Sequence, residues 1–203
     1  MNITPDRSAY APGTRTRDPE VLASELLGAE VLRGGRRAAV GEIVDLVIDA
    51  GPRVRRAVLA LGGLLGATLV SVPFEALAID PATAEHALCC ETARSWPRAA
   101  TGSKRGVDAF AGASGVGLRA LLAMDVVDER ETSVGDVRDL VLRPDGTVSH
   151  LIVSLIGEPG TDGRTVTVPR ERLHVLRDRE GERVQFDGDA RALGSMPDRV
   201  ARV

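Results

Sequence analysis

The sequence predicts a mainly β protein: two small β-barrels with short helical turns, in tandem and joined by a helix-containing linker. Three observations carry this. The stretch Gly41–Leu77 returns in register as Gly135–Leu173, so the chain holds one unit twice. Each copy is a series of short apolar runs broken by Gly, Pro and Asp turns, the pattern of hairpin-linked strands. And only 2% of the 203 residues are aromatic against 43% hydrophobic, so the cores must be built from Val, Leu, Ile and Ala.

Residues Met1–Pro19 are rich in Pro, Arg, Thr and Asp without an apolar period, and read as a flexible tail (1–19). The first barrel is expected over 20–80. Leu22, Leu26 and Leu27 have helical spacing and give a short turn that Gly28 ends; Ala29–Leu32 is a first strand and Arg33–Arg37 a turn. Val40–Asp49 is a strand with apolar residues on both faces, which implies cover on both sides or a bulge near Gly41. Gly51-Pro52 turns the chain and Val54–Leu61 runs back as a hairpin. After the loop Gly62–Gly66, Thr68–Val72 is a third strand with Val70 and Val72 inward and Leu69 and Ser71 outward. Pro73 stops it, having no N–H for a ladder. Phe74–Ile79 is a helical turn or a closing strand.

Between the copies, 81–117 reads as a linker. Asp80 and Pro81 suit an N-cap and first position, which predicts a short helix to about Arg94; Ala99–Gly117 is rich in Gly, Ala and Ser. The second barrel is expected over 118–187, where Pro144-Asp145-Gly146 marks its turn and Val168-Pro169 repeats Val72-Pro73. Glu182–Phe186 alternates as one more strand, and 188–203 reads as a loose tail.

These residues resemble the PRC-barrel family, named for the cytoplasmic domain of the photosynthetic reaction-centre H subunit. The resemblance rests on Leu27-Gly28-Ala29-Glu30-Val31, on Val40 to Asp49, on Leu61-Gly62-Gly63-Leu64-Leu65-Gly66 and on Val72-Pro73-Phe74-Glu75-Ala76-Leu77. The second copy keeps the central and last parts. It implies two PRC-type barrels used for binding and assembly rather than catalysis. The family also includes the C-terminal domain of ribosome-maturation factors, but too few residues precede the first barrel here for their N-terminal domain.

The chemistry on offer is sparse. Asp45 and Asp139 hold the same place in both copies, as a carboxylate pair or as acceptors of backbone N–H groups at a bulge; recurrence favours the second. Glu75 and Glu171 suit the first turn of a helix. His86, Cys89 and Cys90 lack the second ligand pair of a metal site. The glycines of Gly112–Gly117 are out of phosphate-loop order, and Ser114 is not in a nucleophile elbow. No catalytic residue, metal or cofactor is therefore expected, and the chain is read as not an enzyme.

A net charge of −3 and the lack of aromatics argue against a nucleic-acid ligand. The adjacent cysteines cannot close a stapling loop, which fits a reducing, cytoplasmic setting. The near-uncharged run Ala57–Phe74 resembles a membrane span, but its polar twin in copy two identifies it as barrel. The expected partner surface is the run Leu61–Val72 beside an arginine cluster: Arg53, Arg55, Arg56, Leu64, Leu65 and Leu69, with Arg33, Arg36 and Arg37 near by. Its occupant would be a protein partner or a second copy of the chain; the alternative is an RNA- or ribosome-associated assembly factor.

Overall fold

A computed structural model describes residues 20–33, 39–49, 51–62, 68–79, 86–89, 98–99, 115–156, 163–179 and 181–199. In chain order the strands are β1 (Val21–Leu22), β2 (Glu30–Arg33), β3 (Ala39–Ile48), β4 (Val54–Leu61), β5 (Thr68–Pro73), β6 (Leu77–Ile79), β7 (His86–Cys89) and β8 (Arg98–Ala99). Then follow β9 (Val116–Gly117), β10 (Asp125–Val127), β11 (Ser133–Leu142), β12 (Val148–Leu155), β13 (Thr165–Pro169), β14 (Leu173–Asp178) and β15 (Gly181–Phe186). Helix α1 is Leu118–Leu121 and α2 is Ala190–Gly194; single 3₁₀ turns cover Ala23–Leu26, Phe74–Ala76 and Arg170–Arg172.

The strands form two sheets, ordered β6-β7-β2-β3-β4-β5-β8 and β13-β12-β11-β10-β15-β14. Their central hairpins are the same object twice. Gly41 faces Leu61, Asp45 faces Val58 and Ile48 faces Val54; in the second copy Gly135 faces Leu155, Asp139 faces Ile152 and Leu142 faces Val148. Even the register shifts recur, between Ile43 and Asp45 and between Val137 and Asp139. The bulge resolves the two-sided apolar pattern of Val40–Asp49, because it rotates the strand so that Ile43, Leu46 and Ile48 all reach the core. Gly41 and Gly135, each the third residue of its strand, are glycines for a steric reason: a Cβ would stand 2.3 Å from the Ala60 carbonyl oxygen in one barrel and 2.4 Å from that of Ser154 in the other.

Three expectations change. His86–Cys89, inside the stretch expected to start as a helix, is strand β7, parallel to β2 and antiparallel to β6, and so part of the first sheet. Ser71 keeps the expected face, opposite Val70 and Val72, but is fully buried there rather than exposed. The C-terminal stretch expected to be loose contains α2, whose Leu193 is buried in the core and whose Asp189 caps the helix through Ala192 N at 2.8 Å. Met1–Pro19 lies outside the described residues. Among the described residues no helix is long and apolar enough to cross a membrane.

The two barrels do not sit side by side as separate beads. Each lends its first segment to the other. The N-terminal β1 pairs with β11 of the second barrel, Val21 facing Leu142; β9 pairs with β3 of the first, Val116 facing Ile48. One continuous hydrophobic core results, with Val21, Leu26, Val116, Leu118 and Leu121 buried within it.

Candidate functional site

The place where both copies bring their polar residues together is the seam between the barrels. It is built around a local two-fold relation that the sequence repeat imposes. Arg53 lies opposite Thr147 as an antiparallel bridge. On one side Val54 N donates to Gly146 O at 2.8 Å; on the other, Val148 N donates to Pro52 O at 2.8 Å. Positions 52, 53 and 54 match 146, 147 and 148, so the two hairpin turns hydrogen-bond to each other symmetrically.

The two buried aspartates complete the seam. Asp139 Oδ1 accepts from its neighbour Leu140 N at 2.8 Å and from Ser24 N at 3.1 Å, and Oδ2 accepts from Ser24 Oγ. Asp45 Oδ1 accepts from Leu46 N at 2.8 Å and from Arg119 N at 3.2 Å. Ser24 and Arg119 are equivalent positions in the two lent segments. Each carboxylate therefore sits at its strand's bulge, bonds the backbone there, and holds the segment that arrives from the other barrel. Asp45 and Asp139 are 3% and 5% exposed, so neither is presented to solvent as a paired acid–base group. Burial pushes the Asp45 carboxyl above its ordinary value, against the pull of the Arg119 and Leu46 amides and the Arg119 charge.

The seam is not perfectly symmetric. Phe74 in the first barrel is buried against the Gly146 turn, where φ is +82° and a Cβ would lie 2.7 Å from the ring. The equivalent residue in the second barrel is Arg170, whose Nη1 donates to Leu173 O. It lines a cavity of about 20 Å³ with Ile48, Asp49, Val116, Leu140 and Leu151. That volume takes about one water molecule. Asp49 Oδ1 is the one buried side-chain oxygen among the described residues that lacks a hydrogen-bond partner, while its Oδ2 accepts from Arg55 Nε at 2.5 Å.

The three arginines of the expected patch that the structure describes with their side chains, Arg53, Arg55 and Arg56, are engaged in local bonds. Arg53 donates to Asp145 O at 3.1 Å and lies 3.8 Å from its carboxylate, across the seam. Arg55 pairs with Asp49, and Arg56 Nε donates to the buried Ser71 Oγ at 2.5 Å. Ser71 lies on the face opposite Val70 and Val72, and that last bond satisfies its hydroxyl where it is buried. Leu69 is half-buried on β5, and Val70 and Val72, which made the run so apolar, are core residues. Leu64, Leu65, Arg36 and Arg37 lie outside the described residues, as do Cys90 and Ser114. Glu75 and Glu171 sit exposed in their 3₁₀ turns, as expected. Because His86–Cys89 is a strand, the helical spacing that would set His86 over Cys89 is absent.

Two things were missed in the sequence. The reciprocal segments could not be found from periodicity, since each is only two strand residues and a turn. The second was legible: Ser95-Trp96-Pro97-Arg98 and Ser195-Met196-Pro197-Asp198 extend the repeat past both barrels. A family model for the PRC-barrel domain matches residues 18–83 and 115–190, one segment for each barrel. No curated protein matches the chain. With both matched segments folded as the repeated bulged hairpins described above, the chain belongs to the PRC-barrel domain family and carries the domain twice.

Proposed function

We propose that this protein is a non-catalytic binding and assembly module whose partner is another protein. The observation that carries the reading is the seam: two PRC-barrel domains are fixed to each other by lent strands, an arrangement suited to holding two related faces toward a partner. The residues that sequence chemistry would recruit for catalysis, Asp45 and Asp139, are engaged with backbone amides of the opposite barrel. Of the arginines that favour an RNA or ribosome-associated role, Arg53, Arg55 and Arg56 are directed at an acid or a buried serine, which leaves these three less charge to offer phosphates. The family match supports an interaction role and names no partner.

The test is affinity capture from the native host, run at low and moderate salt with and without ribonuclease, followed by mass spectrometry. A defined protein retained in all four conditions is the expected result. Recovery that disappears with ribonuclease, or with salt alone, would replace this reading with the RNA-associated one.

A further inference from the structure

The outer edge of the third strand is covered in both barrels, and by the same device. In the first barrel β8 lies along β5, with Ala99 facing Leu69 and Arg98 facing Val70. In the second, Asp198 bridges to Val166, Thr167 N donates to Pro197 O at 2.9 Å, and Arg199 N donates to Thr165 O at 3.0 Å. Val70 and Val166 are equivalent, so Arg98 and Asp198 occupy one register. Both caps lie outside the segments that match the PRC-barrel domain, which end at 83 and 190. The covering strand is thus an addition to the domain, made twice.

The second cap reveals what its edge selects. Arg164 reaches over it: Nε meets Asp198 Oδ1 at 2.5 Å, Nη1 donates to Gly194 O at 2.8 Å and Nη2 to Met196 O at 3.4 Å. Met196 packs half-buried against the core. Pro197 offers its carbonyl to the ladder, where a missing N–H costs nothing. Apolar, proline, acidic is therefore the pattern this edge reads. The first barrel has Thr68 where the second has Arg164, and its cap carries Arg98 where the second carries Asp198, so the two edges differ in charge preference. The cap's tip lies open to solvent. Pro197, Asp198 and Arg199 are exposed, and the ladder bonds number two.

We infer that the outer edge of β13 is a docking edge for an extended partner segment with the apolar-Pro-acidic pattern, added as a strand, and that residues 195–199 are an exchangeable cap that occupies it. Tethering gives the cap a high effective concentration, so a free segment competes poorly until the cap is weakened. The inference rests on the binding reading above only for the source of the competing segment; failed capture from the host leaves the exchange itself testable.

The experiment uses the full-length chain and a fluorescein-labelled peptide of residues 193–201. In a chain carrying M196D and D198K the cap is weakened while Arg164 and β13 are untouched. Fluorescence anisotropy should show saturable binding at least tenfold tighter than to the unsubstituted chain, and a peptide carrying D198K should lose it. Equal binding to both chains, or none to a substituted chain that keeps its thermal transition, overturns the inference. Should that chain fail to fold, hydrogen exchange on the unsubstituted chain decides. The Thr167 amide should exchange by local opening, at least tenfold faster than the β11–β12 ladder; exchange of Thr167 only with global unfolding overturns it.

Discussion

Asp139 does two jobs at one atom. Its Oδ1 satisfies an amide freed by the bulge in its own strand and one from the segment lent by the first barrel. Asp139→Ala would leave the buried Leu140 N–H and the part-buried Ser24 N–H unpaired, which costs about 1–3 kcal/mol for each such group; chemical denaturation should show a loss of about 2–6 kcal/mol. Asp45 makes the equivalent contacts with Leu46 and Arg119, and its carboxyl is raised by burial above an ordinary value of 3.8. The native state thus holds this proton to higher pH than the unfolded chain does. The stabilising contribution is complete below the ordinary value and is lost as pH rises through the native one. Measured against Asp45→Asn, the unsubstituted chain should lose relative stability over that rise, and a flat difference would contradict the assignment. The arginines separate in the same way by burial. Arg56→Ala removes the partner of a buried hydroxyl and should cost about 1–2 kcal/mol. Arg53→Ala removes an exposed pair and should cost less than about 1 kcal/mol.

At the scale of elements, the hairpins were legible because alternation, turn residues and repetition all agreed. In Val40–Asp49 the apolar residues on both faces suggest two-sided cover or a bulge near Gly41; the bulge is there, but between Ile43 and Asp45. The carboxylates' structural role was legible too, since recurrence at the bulge pointed to backbone bonding. β7 was not legible: Asp80-Pro81 is a sound helix start, while the parallel pairing of Glu30 with His86 is a long-range contact with no local signal. The same holds for β1 and β9, too short to carry a period. Ser71 keeps the face that alternation assigns it, opposite Val70 and Val72, but is buried there, because alternation cannot see the Arg56 guanidinium that covers it. The Gly146 turn gives an element-level prediction. Gly146→Ala places a Cβ into the Phe74 ring at a φ of +82°, so it should destabilise by about 1–3 kcal/mol. Gly163→Ala, at a φ of +79° but with no atom within 4 Å of the new Cβ, should cost only the backbone part. The difference between the two reads the seam contact alone.

At the scale of the whole molecule, two PRC-barrel domains in one chain behave as a pair that has exchanged its first segments. The repeat in the sequence is a record of this symmetry, and the mutual bonds of Val54 with Gly146 and of Val148 with Pro52 lie at its centre. A continuous core follows, so the barrels should unfold together rather than in two steps. Such a pair is a two-domain scaffold whose third-strand edges carry added caps. The interlock also makes the covalent link between the domains dispensable once folding is complete. The most direct measurement is to place a specific protease site between residues 105 and 111, cut the folded chain, and run it on size exclusion under native conditions. Both fragments should elute together where the uncut chain does, and separate only in denaturant. Two fragments that part on cutting, each with native-like secondary structure, would contradict the interlocked pair.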